Sequence, residues 1–470
     1  MGSDYEVYRD ISAVLGAAAD EVVRRSREAA RLRGSFALAV SADSRAKQVL
    51  GLLADDPRRD LVPWDSLWVV AVGGDPTGAA SEASSESVTA PTVAPGAEMA
   101  PMVSQLPLGS DRYFEIAEGA RLPPGVGALL AGSAGGVGGP DLTIVSLRPD
   151  GTVDAPAEDE PPGRLVVLVT GEAAAAALAD ARASGTDRPA RSPRPMRDRA
   201  RWLIDRAGAD ASRALLARTG ASSSAPTDPG RTARRRPADG ASDAEELKAV
   251  VGRRAAELVR SGDRVGLGTG STARHVVLGL ADRLRRGDLT DVVGVPTSRA
   301  TEELARENSV PVASLDEQPR LDLTIDGADE IAPNIDLVKG LGGALLREKI
   351  VAAASERMIV VADESKLVDL LGTIAPVPVA VTPFAWRSHA RSLRQLGCEP
   401  ALRTDASGAP YVTDDGLYLL DCRFAEGVAD PRLVERTVCR HPGIVESGLF
   451  LGMADTALVS DPAGVMIYHR

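Results

Sequence analysis

VGLGTGST, at residues 265–272, decides the fold of the C-terminal half. It reads as an apolar strand, a glycine-rich turn and then hydroxyl residues opening a helix. The turn leaves backbone N–H groups and the positive end of a helix dipole open to a phosphate. Outward from it the texture repeats. Strands are expected at 292–295, 321–325 and 358–362, and helices at 272–286, 299–307 and 343–355. Strands alternating with helices imply a parallel sheet. Past residue 377 the order changes to strand 377–381, helix 386–396, strand 399–402, strand 417–422, helix 431–439 and strand 444–449. That βαββαβ order is the split unit of ferredoxin-like subdomains. The expectation is a Rossmann-like domain over 243–470 with an α+β subdomain at about 376–450.

Two segments of this half carry the chemistry, DGADE (326–330) and KGLGGALLREK (339–349). Asp326, Asp329, Glu330, Lys339 and Glu348 are ionisable groups suited to proton transfer, interleaved with Gly327, Gly340, Gly342 and Gly343. A solvated charged face has no need of those glycines, whereas a loop wrapped around a small polar ligand uses their freedom at positive φ. Each feature also has a plainer reading. Asp followed by Gly is common in ordinary turns, Glu348 fits a surface i,i+4 pair, and GTGST fits a turn without a ligand. Thr297 and Ser298 read either as ligand-loop residues or as a helix cap. Phosphate cradle, carboxylate loop and Lys/Glu pair together point to proton transfer on a phosphorylated metabolite.

From about residue 245 onward the chain resembles ribose-5-phosphate isomerase, type A. The resemblance rests on ELKAVVG, GTGST, PTS, DGADE, KGLGGALLREK and ADESK in that order. It implies an aldose–ketose isomerase that interconverts ribose 5-phosphate and ribulose 5-phosphate through an enediolate, in the pentose phosphate pathway. Under it, Glu348 is the base that removes and returns the carbon-bound proton, and Lys339 stabilises the enediolate oxygens. Asp326 and Asp329 bind hydroxyls, with Asp326 assisting ring opening. Thr269, Gly270, Ser271 and Thr272 hold the phosphate, and Lys366 and Lys248 supply countercharge. Gly327, Ala328, Gly340, Leu341 and Gly342 complete the substrate loop. No cofactor or metal is implied, and no His/Cys cluster accompanies these residues. A homo-oligomer, dimer or tetramer, is the implied assembly.

The N-terminal half has α/β texture of its own. Helices are expected at 11–32 and 173–181, and strands at 36–40, 67–72, 142–146 and 165–169. Residues 73–105 read as a disordered insertion, and 220–242 as a flexible linker too poor in large apolar residues to offset its ordering entropy. Within that linker, 234–236 is an arginine run. FALAVSADSRAKQVLGLLA, PWDSLWVVAV, PDLTIVSLRPDGTVDA, RLVVLVTGEAAAAAL and RARWLIDRAGA resemble, in order, the blocks of a 6-phosphogluconolactonase over residues 5–210. The departures fall on the chemistry. The family's Gly-Gly-Ser-Thr-Pro loop is here Ala42-Asp43-Ser44-Arg45-Ala46, and its Asp-Glu-Arg segment is replaced by GGDPTGAAS. Thr152 stands at the histidine of its Pro-Asp-Gly-His motif. All four histidines lie at or after His275, so imidazole-activated hydrolysis has no base in this half. The expectation for 1–219 is a lactonase-like domain without that activity.

Bulk composition narrows the rest. A net charge of −12 argues against nucleic acid as the main partner. Aromatic residues make up 3% of the chain, so alanine, leucine and valine build the cores. Cys398, Cys422 and Cys439 are odd in number and lack metal spacing, as expected of reduced thiols in the cytoplasm. The N-terminus shows no signal-peptide pattern, and no apolar run approaches the about 20 residues of a membrane span. The readings that compete with a single isomerase are a bifunctional isomerase/lactonase and a phosphosugar-binding sensor. Thr152 opposes the first, and retention of Glu348, Lys339, Asp326 and Asp329 together opposes the second.

Overall fold

The computed structural model describes residues 4–33, 36–41, 44–55, 57–72, 113–116, 142–146, 165–171, 174, 176–179, 200–222 and 239–470. The chain divides into two compact units, Met1–Arg231 and Thr232–Arg470. The expected insertion at 73–105, Asp43, Thr152 and the arginine run at 234–236 lie outside the described residues. The expected linker is encroached on from both ends, by helices that run to Ser222 and start at Asp239.

In the first unit the elements are β1 (Asp4–Tyr8), α1 (Ile11–Arg33), β2 (Phe36–Ser41), α2 (Ser44–Ala54), β3 (Leu67–Val72), β4 (Tyr113–Ile116), β5 (Leu142–Ser146), β6 (Leu165–Val169), β7 (Ala200–Asp205) and α3 (Arg206–Ser222). The strands lie in the order β4-β3-β2-β5-β6-β7-β1, and the pairs are parallel. Helix α1 buries Val14, Ala18 and Val22 against Leu38, Ile144 and Val166 of the sheet. Of these elements, β1, α2, β4, β7 and α3 were not expected from the sequence.

The second unit opens with α4 (Asp239–Ala256), β8 (Arg264–Leu267), α5 (Ser271–Arg286), β9 (Val293–Pro296), α6 (Arg299–Glu307) and β10 (Leu323–Gly327). Short strands β11 (Glu330–Ile331) and β12 (Leu337–Val338) lead to α7 (Leu345–Ala353) and β13 (Met358–Asp363). The small subdomain follows: β14 (Val377–Val381), α8 (Trp386–Arg394), β15 (Cys398–Leu402), β16 (Tyr418–Phe424), α9 (Pro431–Val438) and β17 (Ile444–Ser447). The chain ends with β18 (Leu449–Phe450) and a hairpin of β19 (Thr456–Asp461) and β20 (Gly464–His469). Strand order in the main sheet is β20-β19-β13-β10-β8-β9, parallel except for the β19–β20 pair.

The physical reasons are local. Strand β10 is buried on both faces from Leu323 to Asp326, with Thr324 as its polar side chain before the carboxylate. Helix α5 buries Ala273, Val276, Val277, Leu280 and Ala281, one stripe at helical spacing, and stops at Gly287 in the left-handed conformation. In the subdomain the order is β15-β16-β14-β17, antiparallel throughout, which is the arrangement a βαββαβ unit adopts. Chain order reverses between β8 and β10, the first leading outward to β9 and the second to β13. In an open α/β sheet, ligands bind at the carboxyl ends of the strands beside such a reversal.

Candidate active site

At that reversal the turn after β8 meets the end of β10. Gly268 N–H donates to Ile325 O at 3.0 Å, and Thr269 N–H donates to the Asp326 carboxylate (Oδ1) at 3.1 Å. The approach demands glycine, because a Cβ on Gly268 would lie 2.2 Å from Asp326 Oδ1. The Thr269 hydroxyl turns into a buried cluster with Thr297 (2.7 Å), Ser298 (2.9 Å) and Thr301 (3.2 Å). Ser298 itself caps α6, accepting from Thr301 N–H, so capping is its observed role. Gly270 precedes α5 at φ 121, and no side chain caps that helix. Its first turn faces a cavity of about 330 Å³.

The cavity is walled by Gly270, Ser271 and Thr272 at the helix start, by Lys248 from α4, and by Lys366 with Ser365 and Asp363. Its remaining wall is Gly327, Ala328, Asp329, Lys339, Gly340, Gly342 and Glu348, with Thr269 and Ala244. The residues implied by the resemblance therefore converge, with two exceptions. Leu341 is 43% exposed and does not line the cavity; its N–H instead donates to Asp329 Oδ2 at 2.9 Å. Asp326 lies behind the wall with both oxygens engaged, Oδ1 by Thr269 and Gly327 N–H groups and Oδ2 by Lys339. A direct part for Asp326 in ring opening does not match that placement. Among the lining residues, sequence reasoning singled out neither Ala244, Asp363 nor Ser365, although the last two belong to ADESK.

Lys339 is the electrostatic centre. Its ammonium donates to Gly327 O at 2.6 Å, Asp326 Oδ2 at 3.0 Å and Glu348 Oε1 at 3.3 Å, with all three side chains almost completely buried. It also lies 5.5 Å from the centre of the Phe450 ring. Burial works against the charge on Lys339, but Asp326 and Glu348 outweigh it and hold the ammonium above its usual pKa. One cation serves two carboxylates. Asp326 has the shorter contact and two backbone donors, although burial still pushes its pKa upward. Glu348 has the longer contact, and its Oε2 has no hydrogen-bond partner. Burial, and then the neighbouring Asp326 charge, push Glu348 up to about 8, against the pull of Lys339.

Two sequence readings are corrected. Glu330 takes no part in the cavity; its carboxylate accepts N–H bonds from Gly372, Ile374 and Ala375 and ties β11 to that loop. Of the four glycines expected to use positive φ, Gly340 (φ 105) and Gly343 (φ 86) do so, whereas Gly327 and Gly342 do not. Lys349, next to Glu348, points elsewhere, donating to Glu446, Ser447 O and Leu449 O and anchoring α7. Among the described residues no group of His, Cys, Asp and Glu is arranged to hold a metal ion, and no helix is long and apolar enough to cross a membrane.

The family model of ribose 5-phosphate isomerase A (phosphoriboisomerase A) matches residues 293–464. The protein named ribose-5-phosphate isomerase A from Roseiflexus sp. (strain RS-1) is 53% identical over 211 residues, covering 45% of this chain and 90% of that protein. The chain belongs to the ribose-5-phosphate isomerase A family. Ribose-5-phosphate isomerase A from Deinococcus radiodurans is 49% identical over 229 residues, 48% of this chain and 100% of that protein. Among solved structures, ribose 5-phosphate isomerase A from Methanocaldococcus jannaschii is 38% identical with a TM-score of 0.46, covering 48% of this chain and 99% of that one. The span matched by the family model lies within the second unit and includes Lys339 and Glu348.

Proposed function

We propose that the second unit interconverts D-ribose 5-phosphate and D-ribulose 5-phosphate through an enediolate. One observation carries this: a single cavity joins an uncapped helix start flanked by Lys248 and Lys366 to the Lys339–Glu348 pair. The helix start receives the phosphate. Glu348 Oε2, buried and unpartnered, removes the C2 proton of the open-chain aldose and returns it to C1. A carboxyl whose pKa sits near neutrality both gives and takes a proton readily.

Lys339 stabilises the oxyanion that forms, and the geometry supports a coupling between the two steps. Its weakest partner is Glu348, at 3.3 Å. As Glu348 accepts the substrate proton it loses its hold on Lys339, which frees an ammonium N–H when the enediolate oxygen becomes charged. Asp326 holds Lys339 protonated and in place, and Asp329, at the wall, is available to substrate hydroxyls.

For the first unit we propose a 6-phosphogluconolactonase-like domain that lacks lactonase activity. The ordered sequence blocks and the parallel sheet support the likeness, and the absence of histidine before His275 opposes the activity. The test is to assay the full chain separately with ribose 5-phosphate and with 6-phosphogluconolactone. Isomerisation of the first without hydrolysis of the second above its spontaneous rate is expected. Saturable lactone hydrolysis would overturn the reading of the first unit, and no isomerisation would overturn that of the second.

A further inference from the structure

Arg403 comes just after β15, 63 residues beyond Gly340, and belongs to none of the motifs. Its side chain is 14% exposed. Nε donates to Asp421 Oδ2 at 2.9 Å and Nη2 to Asp421 Oδ1, a paired contact that fixes the plane of the guanidinium. The remaining nitrogen, Nη1, donates to Gly340 O at 2.9 Å and to Leu341 O at 2.9 Å.

The Gly340 carbonyl and the Leu341 N–H belong to one peptide group, in which they point in opposite directions. Leu341 N–H donates to Asp329 Oδ2 at 2.9 Å. That peptide is therefore held between a cation on its oxygen and a carboxylate on its N–H, and each contact polarises the group in favour of the other. It lies immediately after Lys339, with Gly340 at φ 105, the kind of position where a peptide reorients with least steric resistance. Something outside the loop must fix it. The same hairpin of the subdomain adds Tyr411, whose hydroxyl lies 2.2 Å from where a Cβ on Gly343 would be, and Asp415, which accepts from Arg347 Nε at 2.8 Å beside Glu348.

We propose that Arg403 is a positioning residue for this reaction, pinning the Gly340–Leu341 peptide so that Asp329 and Lys339 keep their places at the cavity wall. The proposal rests on the isomerase reading above. Lysine cannot replace it, because an ammonium cannot meet the planar Asp421 pair and both carbonyls together. In the full chain, Arg403→Ala and Arg403→Lys should each lower kcat/KM for ribose 5-phosphate about 10- to 100-fold, the scale of a small misplacement. Added guanidinium should recover at least about threefold of the alanine variant's loss and leave the wild type unchanged. Hydrogen exchange of the Leu341 amide should be slow in the wild type and faster in both variants. Activity within about twofold of wild type would overturn the proposal, as would a loss that guanidinium does not touch with Leu341 exchange unchanged. Should the variants fail to fold, rapid Leu341 exchange in the wild type overturns it by itself. An inactive wild type with a protected Leu341 amide would instead count against the isomerase reading.

Discussion

Each unit buries a cluster of opposite charges, and the two clusters are built on opposite principles. In the first unit Glu21 accepts from Arg24, Arg25 and Arg201, while Glu6 accepts from Arg201 and Tyr8. Every carboxylate oxygen there is engaged, and cations are in excess. Burial works against ionised Glu21, but the bonds from Arg24 and Arg25 prevail and hold its pKa below the ordinary value. In the second unit a single lysine serves Asp326 and Glu348, one oxygen of Glu348 is left without a partner, and its pKa is pushed up to about 8. A saturated cluster braces a sheet. An under-saturated one, opening on a cavity at the carboxyl ends of strands, is suited to the proton transfer proposed for it.

The largest effect that could break this contrast comes from Glu348→Gln. The amide keeps the shape and loses the base, so kcat should fall about 10²- to 10⁴-fold with phosphosugar binding retained. A variant keeping more than half the wild-type turnover would remove Glu348 from the role. The mirror experiment is Arg201→Met, which takes the Arg201 guanidinium from Glu6, leaving it with Tyr8, and leaves Glu21 with Arg24 and Arg25. It should cost the first unit about 3–5 kcal/mol, as expected for breaking a buried pair, read as an earlier thermal transition with isomerase activity unchanged below it. Activity falling in step with that loss of stability would show that the first unit supports catalysis. The smallest effect is expected from deletion. A fragment comprising Thr232–Arg470 should isomerise ribose 5-phosphate within about twofold of the full chain, since the residues of the proposed site lie within it. A fragment beginning at Ala241 would cut into the first turn of α4, so the earlier start is the proper test.

Much of the second unit was legible because its signals are local. VGLGTGST announces a strand, a turn and a helix, and β10 shows Leu323 and Ile325 ahead of Asp326 in a strand covered on both faces. Most of the cavity wall followed from the family resemblance, down to Lys248 and Lys366, while Ala244, Asp363 and Ser365 did not. Partnerships across long separations were not legible. Glu330 looked as reactive as its neighbours, and only the fold shows its carboxylate spent on N–H groups beyond residue 370. Asp326 sits in the most conspicuous motif, yet it lies behind Lys339 rather than at the wall. Strand β7 was missed because its apolar stretch is only Trp202 to Ile204, between Arg201 and Asp205, and the partners of Arg201, Glu6 and Glu21, lie about 180 residues or more away. Arg403 and Tyr411 carry no motif at all.

The central claim is that the titration of Glu348 governs the chemistry, and the pH dependence of kcat/KM tests it most directly. A raised carboxyl is protonated below its pKa and becomes a base above it. In the free enzyme kcat/KM should therefore climb with pH, about tenfold per unit on the acid side, and level off above about 8. The second ionisation of a phosphate ester, near about 6, is too low to produce that limb. An acid limb with a midpoint between about 7 and 9, lost with the activity in Glu348→Gln, is the predicted result. A profile already flat from about pH 6.5 upward would contradict the account.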